Sequence, residues 1–489
     1  VSLSGRPSVW LSAMYSLIEL LTLLLSIPFP FFPQILSTTS KSFSTTISVS
    51  SFGAIGDGVQ YDTVAIQSAI NSCPPSSSPC IITFPSNFTF LTATIHLNRS
   101  NLILQINPGA TLLGGSRLID YHPLDSDLWY VVLAENVSNV TIQGGGVISG
   151  NGAEFVQEFR EEKNVMVSWN SSGACFGDEC RPRLVGFLNC THSTARDITL
   201  IDSAYWCLNI VRCRDTVVQN VSIFGNFNSP NTDGIDIEGS NNTSIDSCRI
   251  DTGDDAVCPK TLTAGLVNLT VTNSWIRTKS CAVKFGSASR FDFRNCYFKN
   301  ITIVESHRGL GIQIRDGGNV ENVTFEEINI ETRYYDPSWW GRGEPIYVTT
   351  CSRAENGTVG EISNVRFVNV TGRSENGVML SGREGRGLRG IKMVNVGLKY
   401  GRVSGYEGGM VDYRPGCEGL VKGVGGGVIL ENVDGVEFVN VSEEWGKGGD
   451  PGWGVPLAFK GPVYNLSFNG FRSILLHNMD DMLVTKMHS

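Results

Sequence analysis

Charge is scarce in this chain. Asp, Glu, Lys and Arg make up 17% of 489 residues, against about 25% in an ordinary globular domain. So thin a supply argues against long solvent-facing helices, whose outer faces need charged side chains. Histidine is scarcer still: the six residues are scattered, and no CxxC pair recurs. A zinc site is therefore not expected. Basic residues do not predominate either. Lys and Arg number 38 against 47 Asp and Glu, a net charge of −9, which argues against nucleic acid or an anionic membrane surface as partner. A polyanionic ligand would need a local cationic cleft set against the overall field. Beyond residue 32 the chain also lacks any long apolar run.

The one such run, LIELLTLLLSIPFPFF at 17–32, contains Glu19 and is broken by Pro28 and Pro30. It falls short of the ~20 clean apolar residues of a membrane span and reads as the core of a signal peptide. The chain opens with Val1, and Met14 is a candidate start. With the Ser/Thr-rich stretch that follows, 1–45 is expected to be a leader. The body at 46–470 is expected to be one folded domain, secreted to the extracellular space, free of membrane and monomeric. Thirteen cysteines suit an exported chain. Cys73/Cys80 and Cys175/Cys180 are close enough to staple short loops, and the odd count leaves at least one thiol unpaired. Asn-x-Ser/Thr sequons at Asn136, Asn220, Asn268, Asn300 and Asn369 predict a glycoprotein. The same letters also suit a turn feeding a β-branched strand, so only some need carry glycan.

What the chain has in abundance is glycine, 54 of 489 or about 11%, and short alternating apolar runs. VSNVTIQGGGVISG (137–150), ARDITLIDS (195–203), VQNVSIFGN (218–226), NNTSIDSCRIDTG (241–253), VNLTVTNSWIRT (267–278), RFDFRNCYFKNI (290–301) and VENVTFEEINIET (320–332) recur with Asn, Gly and Ser between them. From 195 onward successive copies lie roughly 22–30 residues apart, too close for propeller blades of ~40–50 residues. No linker composition divides the chain into sandwiches. Stacked coils of about three strands each fit best, giving an all-β, single-stranded right-handed parallel β-helix. The only helical pattern, TVAIQSAINSC at 63–73, would form a short N-terminal cap.

That fold gives meaning to two turns, PNTDGID (230–236) and TGDDAV (252–257). A separation of about one coil returns the chain to the same face, one ~4.8 Å rung along the axis. Asp233 and the pair Asp254/Asp255 would then be neighbours. Clustered carboxylates shift one another's pKa, so that one keeps a proton while another stays ionised. Glycoside hydrolysis needs that division of acid and base.

The letters FGAIGDGVQYDTVAIQSAINSC (52–73), NTDGIDI (231–237) and GDDAV (253–257) resemble glycoside hydrolase family 28, the polygalacturonase group, over about residues 50–380. The resemblance implies a secreted β-helical hydrolase of α-1,4-galacturonan in pectin, working with inversion and without metal or cofactor. It implies Asp254 as general acid, Asp233 and Asp255 as the pair activating water, and Asn231 as a shaper of the sugar site. Two signatures are altered. In SCAVKFGS (280–287) Cys281 occupies the family's His position, and in GIQIRDGG (311–318) Gln313 replaces its Arg. Arg315 can still grip a carboxylate, with Lys284 and Arg308 as further cations. The loop TRYYDPSWWGRGEPIYVTT (332–350) carries Tyr334, Tyr335, Trp339 and Trp340. These are expected either as a core plug or as a cleft wall stacking on sugar rings, and a wall closing one end would favour chain-end attack. The alternatives are a β-helical polysaccharide lyase and a pectin-binding relative with weakened activity. Residues 471–489 match no repeat and remain an unassigned tail.

Overall fold

The computed structural model describes residues 44–488, apart from 76–77, 122–128, 161–164, 169–180, 338, 355–356, 384–386, 407–409, 415, 424, 446–452 and 478–480. The expected leader and the Cys175/Cys180 pair thus lie outside the described residues.

Two long sheets dominate, and nearly every pairing in them is parallel between successive coils. Twelve strands form one wall. Its central members are β1 (Arg183–Leu188), β2 (Leu208–Val211), β3 (Ile235–Glu238), β4 (Val257–Lys260), β5 (Cys281–Ser287) and β6 (Arg308–Ile314). A 21-stranded sheet wraps the rest of each coil. Parallel crossovers in one sheet are right-handed almost without exception, and the chain is a right-handed parallel β-helix.

The long strands bend where an asparagine takes the left-handed conformation that its side chain tolerates. Asn220, Asn268, Asn300 and Asn369 all have φ between 50° and 60°. Their amides stack from rung to rung, as from Asn268 Nδ2 to Asn242 Oδ1 at 2.9 Å and from Asn295 Nδ2 to Asn268 Oδ1 at 3.4 Å. The recurring sequon letters are therefore corner chemistry as well. Inside, equivalent positions stack like with like: Phe298, Phe325 and Phe367 are in register and fully buried. Their ring centroids lie 4.8 and 5.2 Å apart. Burial of each such side chain stabilises by roughly 1.5–3 kcal/mol.

Helix α1 (Thr63–Asn71) buries Ile66, Ala69 and Ile70, the i, i+3, i+4 face, in the first coils' core. The Cys73–Cys80 disulfide follows it. A second disulfide, Cys351–Cys417, spans 66 residues and was not expected from spacing. Seven further cysteines among the described residues are free and buried. The tail also differs from expectation. A boundary after 470 falls inside the strand Ser467–His477, which continues the large sheet in register from Glu437↔Ser467 to Trp445↔Leu475. Asp481–His488 then returns antiparallel to it.

Candidate active site

Register places the candidate site. Strand β2 pairs with β3 at Leu208↔Ile235, β3 with β4 at Ile235↔Val257, and β5 with β6 at Cys281↔Arg308. Backbone bonds extend these rungs outward, from Cys207 N to Asp233 O (2.9 Å), Gly234 N to Asp255 O (2.9 Å) and Ala256 N to Cys281 O (3.0 Å). One row of outward positions therefore reads Arg183, Trp206, Asp233, Asp255, Cys281, Arg308. A second row, three residues further along each strand, reads Asn209, Asp236, Cys258, Lys284, Gly311.

Asp233 and Asp255 are nearest neighbours in the first row, with carboxylate oxygens within 4.8 Å of one another and of Cys258 Sγ. Asp254, in the turn before Asp255, is held by the backbone. Its oxygens accept from Asn231 N at 3.0 Å and Asp255 N at 2.9 Å. The turn is tight: a Cβ on Gly253 would lie 2.4 Å from Asn226 O, so only glycine fits. Asp255 accepts from Ser280 Oγ (2.7 Å), Cys281 N (3.2 Å) and Lys284 Nζ (2.5 Å). Lys260 Nζ reaches Asp233 at 3.4 Å, Cys258 Sγ at 2.9 Å and, in a shorter contact, Asp236. The only three-donor group of metal-ligating type among the described residues, Asp233–Asp255–Cys258, already has this ammonium beside two of its members.

The environments separate the acids. Burial, with Asp236 and Asp254 nearby, holds Asp233 well above the usual carboxylate range, and Lys260 offsets only part of that. Burial and then Asp255 raise Asp254. Burial would raise Asp255 too, but Lys284, Lys260 and the Ser280 hydroxyl outweigh it and hold its carboxyl low. Asp236 is pushed up to about 6 by burial, tempered by Lys260. The cluster thus contains a proton holder beside an ionised carboxylate.

The remaining expected residues divide. Asn231 sits in the left-handed region at φ 57°, and its Oδ1 accepts from Arg181 at 2.8 Å. Lys284 pairs with Asp255 and lies 5.8 Å from the centroid of Trp340, which is 46% exposed at the rim. Trp339 stands beside Lys279, 6.0 Å from its Nζ. Tyr334 is buried against His307 and Tyr406, and Tyr335 bonds Glu305 O. The loop packs inward at Tyr334, while Trp340 lines the small pocket beside Asp255.

Two expected substrate-binding residues, Arg308 and Gln313, line the small pocket beside Asp255 and are also bonded within the chain. Arg308 is buried, pairs with Glu344 at 3.2 Å, donates to Asp412 O and Arg414 O, and lies 3.6 Å over Tyr347. Gln313 donates to Arg414 O at 2.7 Å. Both fasten the chain around Asp412 and Arg414 across the sheet. Arg315 stands by Gly416, next to the Cys351–Cys417 disulfide. It does not line the small pocket formed by Asp255, Lys284, Arg308, Gln313, Trp340 and their neighbours. Cys281 does line it, 3% exposed, with Sγ donating to Val283 O at 3.0 Å. Burial pushes its thiol up to about 12. Asp236, Lys260, Ser280 and Arg181 were missed. Asp236 stood in the quoted NTDGID, three residues from Asp233 and so on the neighbouring outward row.

A right-handed parallel β-helix with clustered carboxylates on one wall holds an acid and a base side by side, the division that glycoside hydrolysis needs. The chain belongs to the glycosyl hydrolases family 28, whose sequence profile matches residues 86–408, and it is a glycoside hydrolase. It is 26% identical over 357 residues to Polygalacturonase-2 of Solanum lycopersicum, covering 68% of this chain and 70% of that one. In structure it is similar to a hyperthermoactive exopolygalacturonase from Thermotoga maritima, with TM-score 0.64 and 20% identity over 81% of this chain and 91% of that one. It is also similar to a family 28 exopolygalacturonase of Yersinia enterocolitica, with TM-score 0.62 and 18% identity over 87% and 78% of the two chains.

Proposed function

We propose that the chain is a secreted hydrolase of α-1,4-galacturonosyl linkages in pectin, acting from a chain end with inversion. The observation that carries this reading is the unequal hold on protons at Asp254 and Asp255, which supplies an acid and a base side by side. Asp254 gives its proton to the glycosidic oxygen as the bond to the anomeric carbon breaks. Water attacks that carbon from the opposite face and passes a proton to Asp255, while Asp233 orients the water. The wall of Trp339 and Trp340, with Arg414 Nη2 bonding Trp339 O at 2.8 Å, supports closure of the C-terminal side and hence release of short units from an end.

The test is to incubate the protein with polygalacturonate and follow reducing ends and product sizes. Short products from the outset are expected. Asp254→Asn should keep the fold and cost at least ~10²–10⁴ in rate. Near-full activity in that variant would remove Asp254 as the acid, and an unsaturated, ultraviolet-absorbing product would replace hydrolysis by elimination.

A further inference from the structure

Arg183 belongs to the same outward row as the acids, two rungs to the N-terminal side of Asp233. At ~4.8 Å per rung that is about 10 Å along the axis. It is 4% exposed, and neither its Nε nor its Nη1 has a hydrogen-bond partner. Its guanidinium lies 4.8 Å from the ring centroids of both Tyr205 and Trp206 and 5.8 Å from that of Tyr130. Arg181, two residues earlier, shows the contrast: its donors reach Ala204 O, Pro230 O and Asn231 Oδ1. A guanidinium fixed in plane by aromatic rings, with donors unmet in a partly dry site, is costly to maintain without an acceptor. A carboxylate oxygen can accept a charge-assisted hydrogen bond from either unmet donor, a stronger bond than a sugar hydroxyl would accept.

Resting on the pectic reading above, we propose that Arg183, backed by Trp206, is a specificity-determining residue. It receives the carboxylate of the uronate sugar bound on the N-terminal side of the acid pair. The need for a cation there is electrostatic. Asp233, Asp236 and Asp255 would repel an incoming uronate, and Lys260 and Lys284 are already paired with those acids. Trp206, which also lies 4.5 Å from Lys260 Nζ, gives the ring an apolar platform.

The test measures binding of trigalacturonate and of its fully methyl-esterified form to the Asp254→Asn protein by calorimetry, with and without Arg183→Gln. Thermal melting is recorded alongside. The expected result is at least a tenfold weaker affinity for the acid, less than threefold for the ester, and an unchanged melting temperature. Arg183→Lys should fall between and carries the test if the Gln variant does not fold. Equal losses on both oligomers, or a lowered melting temperature with unchanged discrimination, would make Arg183 a structural counter-ion of Asp236 and overturn the proposal. Binding of neither oligomer with Arg183 intact would overturn the pectic reading and this one together.

Discussion

Arg183 and Arg308 stand in one row on either side of the acid pair, each two rungs from its nearer acid and each lying over aromatic rings. Arg308 meets Glu344 and two backbone carbonyls, while Arg183 keeps two buried donors without partners. The same side chain in equivalent positions is therefore architecture on one flank and a candidate recognition group on the other. What differs is the neighbouring chain: the C-terminal flank carries the aromatic loop and the Asp412–Arg414 segment, both tied down across the sheet. The contrast lies in these two arginines, one tied into the neighbouring chain and one with donors left over.

The largest expected effect tests the architectural flank. Arg308→Ala removes one partner of an ion pair whose side chains are 4% and 3% exposed. Leaving Glu344 uncompensated should cost about 3–5 kcal/mol, read as a lower denaturation midpoint at unchanged slope. If Arg308→Ala melted like the parent, the distinction between the two arginines would collapse.

Lys284→Gln probes the centre. In the parent, the depressed Asp255 carboxyl contributes stability that is present above its unfolded pKa and is lost as pH falls through the lower folded value. Without Lys284 the largest lowering influence is gone, and the folded pKa of Asp255 rises. Its stability contribution above the unfolded pKa shrinks accordingly, and the acidic limb of kcat/KM moves to higher pH. Melting temperatures and rates at several pH values read both, and an unmoved limb would mean that Lys284 does not set the ionisation of Asp255.

Cys281→His restores the side chain that the family resemblance implies. The pocket is tight, since a Cβ on Gly311 would already lie 2.7 Å from Cys281 Sγ. Forcing in an imidazole should destabilise by roughly 1–3 kcal/mol. Because Cys281 N bonds Asp255, the ring would also perturb that titration and shift the pH–rate profile. A shifted profile without lost stability would show room for the ring, and lost stability with an unshifted profile would place the ring away from Asp255.

Much of this was legible in the sequence. The spacing from Asp233 to Asp254/Asp255 matched one coil, so the acids met. The alternation that marked the strands also marked their inward faces, and α1 showed its i, i+3, i+4 stripe. Contacts set by distant segments were not legible. Gln313 and Arg308 are captured by Arg414, 101 and 106 residues away, and no local pattern announces that. Tyr335 and Trp339 share a loop and a chemistry, yet one packs inward because Glu305 O and Phe227 meet it. The last strand went unseen because its alternation is brief and its sheet partner lies in the preceding coil.

The smallest effect on stability should come from Trp340→Ala, and it bears most directly on the two flanks. At 46% exposed the indole contributes little packing, so stability should stay within about 0.5 kcal/mol. Its ring nevertheless stands over Lys284 at the edge of the pocket beside Asp255. Removing it lowers the wall on the C-terminal side without touching an acid or a paired lysine. Turnover at saturating substrate should therefore change little, while products from a long polymer broaden from short units toward mixed lengths. Size-resolved products at early conversion read this directly. An unchanged distribution would mean that Trp340 is not the stop, and that closure depends on Trp339 and on the Asp412–Arg414 segment held by Arg308 and Gln313.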